Sequence, residues 1–174
     1  MFTSRLRVSY NPRTPFRELS TAELFVVSSM RLWMLPRCDS GVDYPDWREG
    51  FVRARIDTEG ALDFDALCEI LATSTLKGFT VHRLQCPVLA EHESWTLQVL
   101  GLLQRDQLSE AASILAQHCA LSGARLALAP ARTFACALRA HRLWLAFHFD
   151  YPVALPRAQA ATCAVPAPGS SRMH

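Results

Sequence analysis

Between about Glu91 and Trp144 apolar residues recur at three- and four-residue intervals, with little ionisable chemistry between them. Trp95, Val99, Leu102 and Leu103 share one side of a helix, as do Ala111, Ile114, Leu115 and Cys119. That period marks amphipathic helices whose stripes must be buried against one another. It predicts a mainly α chain: a single compact helical domain with about five helices, and minor β strands near the two termini. At 174 residues the chain is long enough to bury such a core without disulfides or metals. The expected division is an N-terminal extension over 1–15 (with a possible strand), a helical domain over 16–151, and a disordered Ala/Pro-rich tail over 152–174.

The first half carries the punctuation that such a fold needs. Alternation of Phe2, Leu6, Val8 and Tyr10 with polar residues reads as a strand, ended by Asn11-Pro12 and Thr14-Pro15. Ser20 and Glu23 form a capping box, opening a helix expected to stop at Leu35, before Pro36. Pro45-Asp46 starts a short helix carrying Trp47 and Phe51, although Gly50 weakens it and 52–56 also reads as a strand. Asp57 to Gly60 reads as a turn. Asp63 is then expected to cap a helix with Phe64, Leu67, Cys68 and Leu71 on one face, ending near Lys77-Gly78. Phe79 to Leu84 reads as extended.

Glu91 and Glu93 sit in the first turn of the next helix, where they complement its dipole. A second helix is expected over 108–121, with Ser122-Gly123 breaking it and Pro130 starting another. From Leu143 to Tyr151 the period changes to two, which predicts a closing strand.

Composition bounds the function classes. Half of the residues are apolar, a fifth are charged, and the net charge is +2. That balance gives no electrostatic reason to expect nucleic acid or an anionic membrane. No stretch approaches the roughly 18 unbroken apolar residues of a membrane span, so no membrane association is expected. The polar, Arg-rich first 17 residues lack the apolar core of a secretory signal. Six dispersed cysteines without a CxxC pair read as reduced thiols. A cytoplasmic location is the resulting expectation.

Two local patterns are similar to known helical motifs. Leu100-Gly101 with Glu110-Ala111 resembles the tetratricopeptide αα-hairpin, in which small residues let two helices pack closely. The interval is about two residues too short for the roughly 34-residue pattern, and no second copy follows. Ala116, Ala120, Leu121, Ser122 and Leu126 resemble the DNA-binding helix-turn-helix. That resemblance implies a reading helix with Ser122 and Arg125 as its donors, shortened to about two turns by Pro130.

Other constellations are sparser. His82, Cys86 and His92 are candidate metal ligands, since zinc takes nitrogen and thiolate donors, but the paired short spacings of dependable sites are missing. No Walker loop, dinucleotide fingerprint or nucleophile elbow occurs, so no catalytic residue and no cofactor are assigned. Trp47, Arg48 and Phe51, with Trp33, form a candidate recognition surface, because Trp and Arg are enriched at binding hot spots. The expected role is a small non-catalytic interaction or regulatory module with a protein partner. The alternatives are a DNA-binding regulator built on a helix-turn-helix-like segment over 108–129, then a metal-binding protein or enzyme.

Overall fold

The computed structural model describes residues 10–146, apart from 40 and 42, together with the backbone of Thr162–Val165. A short 3-10 turn at Phe16–Glu18 leads into α1 (Thr21–Cys38), α2 (Trp47–Arg53) and α3 (Thr58–Ser74). Strand β1 (Phe79–His82) is followed by α4 (Glu91–Leu103), α5 (Leu108–His118), α6 (Leu121–Ala140) and strand β2 (Thr162–Val165). The described residues form one compact, mainly helical domain, as the apolar periodicity requires.

Local chemistry sets most boundaries. Ser20 accepts from Glu23 N–H while Glu23 Oε2 takes the Ser20 N–H at 2.7 Å, completing the capping box. Asp46 caps α2 through Arg48 N–H, and Asp57 caps α3 through Gly60 N–H at 2.8 Å. The cap of α3 is therefore Asp57 and not Asp63, and the expected turn at 57–60 is its first turn. Residues 47–53 are helical, which settles the strand alternative for 52–56 against it.

Both prolines expected to bound helices lie inside them. Pro36 sits in the last turn of α1, where few hydrogen bonds remain to be lost, and Arg37 Nη1 donates to the Trp33 carbonyl. Pro130 lies in the middle of α6, half-buried, and the carbonyl it deprives belongs to the exposed Leu126, where solvent can hydrate it. The Ser122-Gly123 break is likewise absent. α5 stops at His118, and Ser122 and Gly123 open α6.

The core gathers Val26, Met30, Trp33 and Met34 of α1, Phe64, Leu67 and Leu71 of α3, Leu97 and Leu100 of α4, and Ala127, Phe134 and Leu138 of α6. α3 and α6 run antiparallel at close range. A Cβ on Gly60 would meet Ala137, and one on Gly123 would lie 2.1 Å from the Ser74 Cβ. Glycine at 123 lets the start of α6 touch the end of α3. The 104–107 connection turns sharply through Asp106, whose φ is 57°. α4 and α5 make a single helical pair with Gly101 and Ala111 buried, the two small residues of the tetratricopeptide-like pattern.

β1 and β2 pair antiparallel, Phe79 opposite Val165 and His82 opposite Thr162. The segment expected as a tail outside the domain thus contributes a strand to it at 162–165. The expected N-terminal strand, the closing strand beyond Ala146 and the rest of the 152–174 tail lie outside the described residues. Leu143–Ala146 is not a strand. Among the described residues no helix is long and apolar enough to cross a membrane.

Candidate functional site

Helices α2 and α3 enclose a cleft of about 210 Å³, lined by Trp47, Arg48, Phe51, Val52, Leu62 and Asp65 among others. Its floor is aromatic. Trp47 and Phe51, one turn apart on α2, meet edge-on with ring centres 5.3 Å apart, and both contact Phe64 of α3 at 5.2 Å. Phe134 of α6 and Phe25 of α1 close the cluster behind Phe51 at 5.8 and 5.0 Å. Tilted and edge-on rings at these separations attract one another beyond their buried area.

The candidate recognition residues therefore separate. Trp47 is 6% exposed and Phe51 2% exposed, so both rings belong to the core. Neither is the exposed aromatic anchor that a surface reading of those positions needs. Arg48 is outside: its guanidinium lies 4.4 Å above the Trp47 ring, near Asp46 (3.5 Å) and Asp65 (3.9 Å). Asp65 is held by the Trp33 indole, which donates to its Oδ1 at 2.6 Å. Trp33 is wholly buried and reaches the cleft wall through that bond.

The apolar rim comes from two residues that sequence reasoning passed over. Val52 is 74% exposed and Leu62 63% exposed. A signal for them existed. Once Phe51 and Phe64 are taken as inward-facing, the 100° step per residue turns Val52 off the core face of α2, and two steps do the same for Leu62 on α3. Apolar residues without a core role on neighbouring helices are the pattern to look for.

The candidate metal ligands do not converge. His82 Nδ1 lies 3.0 Å from the Val88 carbonyl and 3.2 Å from Cys86 Sγ. A carbonyl only accepts, so a hydrogen bond to Val88 uses the Nδ1–H tautomer, in which Nε2 is the nitrogen left to accept. His92 turns to Thr80 instead, with Nδ1 2.7 Å from Thr80 Oγ1, and packs edge-on to Phe79 and Trp95. Burial lowers its pKa, partly offset by Glu91. Among the described residues no three His, Cys, Asp or Glu side chains gather where an ion would sit. The trio His82, Cys86 and His92 is corrected to one contacting pair and a separate packed histidine.

Around that pair a buried ion pair governs the backbone. Arg31 Nε and Nη2 donate to the two carboxylate oxygens of Glu93 at 2.7 and 2.8 Å. The remaining guanidinium N–H groups go to the carbonyls of Arg83, Cys86 and Val88. Glu93 also accepts the N–H of His82 and of Ala90. Every donor of Arg31 is used, so the cluster anchors the 83–90 loop and leaves no group for a ligand.

Ser122 and Arg125 are both exposed near the start of α6. Because α6 runs on through Pro130, the face they begin extends to Arg132, beyond the two turns expected. α5 and α6 are separated by Cys119 and Ala120 alone. Comparison of the chain with protein-family models, curated proteins and solved structures finds no match.

Proposed function

We propose that the protein is a small interaction module, without catalysis of its own, that receives an apolar side chain of a protein partner in the α2–α3 cleft. One observation carries this reading: exposed Val52 and Leu62 flank a cleft whose aromatic floor is buried and packed ring against ring. A preformed apolar pocket with a few polar groups at its edge suits an anchor residue, and Arg48 and Asp65 supply that edge. Walls already packed into the core limit the ordering cost of binding. A photo-crosslinking amino acid at position 62 tests it in the host cell, with position 133 on exposed α6 as control. One discrete adduct at 62, absent at 133 and lost on Val52→Asp, is the expected result. Equal labelling at both positions would sink the reading.

A second reading, DNA binding through α6, is favoured by the unbroken exposed face with Ser122, Arg125 and Arg132 on a helix that carries no acidic residue. It predicts duplex binding whose log affinity falls linearly with log salt, with a slope reduced by about one in Arg125→Ala. Affinity insensitive to salt would dismiss it.

A further inference from the structure

Five cysteines have described side chains, and one of them stands apart. Cys68 and Cys119 are buried, and burial pushes both thiols up, away from the anionic form that reacts. Cys38 is exposed at the end of α1, and Cys136 is half-buried on α6. Cys86 is half-buried on the 83–90 loop, between the exposed Gln85 and Pro87, and a nitrogen donor meets its sulfur.

The donor is His82, the last residue of β1. Its Nδ1 lies 3.2 Å from Cys86 Sγ and 3.0 Å from the Val88 carbonyl oxygen. A hydrogen bond to that carbonyl keeps the ring proton on Nδ1, so the sulfur faces an N–H. The contact is set from outside the pair. His82 N–H donates to Glu93 Oε1 at 3.0 Å, while Arg31 Nη1 donates to the Cys86 carbonyl at 2.8 Å. The Cys86 N–H closes a turn onto the Arg83 carbonyl at 2.9 Å, and Pro87 fixes the backbone that follows. The buried Arg31–Glu93 pair thus holds both the strand end and the loop turn that carry the two side chains. The loop bears one charged side chain, the exposed cation Arg83, and no carboxylate. A thiol beside an N–H donor is a better nucleophile than one in apolar surroundings, because charge on sulfur is stabilised as the new bond forms.

We propose that Cys86 is a site of modification by small hydroperoxides, with His82 as the residue that positions and activates its sulfur. In the reaction a bond forms between Sγ and one peroxide oxygen while the O–O bond breaks. The thiol is oxidised to a sulfenic acid, and the peroxide is reduced to water or an alcohol. The thiol proton leaves on the departing oxygen, and the Nδ1–H stays on the ring, where it supports the charge on sulfur during the transfer. A small, uncharged oxidant suits a sulfur that is only partly open to solvent. This site belongs to β1 and the loop after it, and it stands without the α2–α3 cleft.

Treatment of the full chain with hydrogen peroxide near neutral pH, followed by a dimedone trap and peptide mapping, reads the rate at each cysteine. Cys86 should be trapped about tenfold faster than the more exposed Cys38, and denaturant should erase the difference. Cys86 reacting no faster than Cys38 in the folded chain would overturn the proposal. So would a preference that survives in denaturant, which would assign the reactivity to local sequence. This comparison uses the unaltered chain and stands whether or not a variant folds. His82→Phe, which removes the N–H, should slow trapping at Cys86 about tenfold and leave Cys38 unchanged. His82→Asn, whose amide can place a donor near the position of Nδ1, should restore most of the rate. Equal rates at Cys86 in all three proteins, or equal losses in the two variants, would sink the role given to His82 and the proposal with it.

Discussion

Arg31 and Glu93 meet side-on inside the domain, 62 residues apart in sequence, with neither side chain reached by solvent. The pair is bidentate, and each partner also carries backbone groups of the 82–90 segment. Arginine suits this position because its planar fork can satisfy a carboxylate and three carbonyls together.

Removing one member leaves the other charged and unpaired in the core. Glu93→Ala should therefore cost about 3–5 kcal/mol of stability. Urea denaturation followed by circular dichroism measures it. A loss below about 1 kcal/mol would show that the pair is not buried as described.

His92 makes stability depend on pH. Its folded pKa is lowered, by burial first, while the unfolded chain keeps the ordinary value near 6.5. As pH falls through that value the unfolded state takes up a proton that the folded state refuses, so stability declines on acidification. His118, stacked on Trp95 with ring centres 5.0 Å apart, is shifted the same way for the same cause. The melting temperature should fall between pH 7 and pH 5.5, and fall less in His92→Gln. An identical pH profile in that variant would refute the assignment.

Phe51 and Val52 are neighbours with opposite environments. Phe51→Ala empties the centre of the aromatic cluster and should cost about 3–5 kcal/mol. Val52→Asp alters only an exposed side chain and should change stability by about 0.5 kcal/mol or less. Thermal melts of the two variants side by side decide the matter. Similar losses would mean that Val52 belongs to the core and not to the rim of the cleft.

Gly123 and Ser74 set the approach of α3 and α6. Gly123→Ala places a methyl group on the Ser74 side chain and should destabilise by about 1–3 kcal/mol. Adding Ser74→Gly should recover part of that loss, and a double-mutant cycle reads the coupling. Strict additivity would show that the contact is not what limits the spacing.

Much of the framework was legible in the residues. The Ser20–Glu23 box, the Asp46 start of α2 and the helical period of α4 all act within a few residues, which is the range over which sequence patterns carry information. The misreadings share a cause. Pro36 and Pro130 break helices only when the lost hydrogen bond matters, and that depends on how close the helix end is or whether the orphaned carbonyl is exposed. Asp57 and Asp63 are both acceptable caps, and only packing of α3 against α6 chooses between them. The metal trio failed because proximity in sequence says nothing of direction, and Thr80 captures His92. For the site, Trp47 and Arg48 are adjacent on one short helix, and the 100° turn between them separates core from surface. Val52, Leu62 and Asp65 assemble with Arg48 only after α2 and α3 have docked.

Tyr10 bears on how the chain acquires this structure. Its hydroxyl contacts Glu23 Oε1 and the Ala146 carbonyl, each at 2.7 Å, and Glu23 in turn accepts the Ala146 N–H at 2.9 Å. The carboxylate that caps the first long helix is thus also the clasp between residues 10 and 146. During synthesis α1 can be capped as soon as it emerges, yet this clasp must wait until nearly the whole domain has left the ribosome. Until then the contact that joins Tyr10 and Glu23 to Ala146 is still to be made, so the cap of α1 precedes the clasp that uses the same carboxylate.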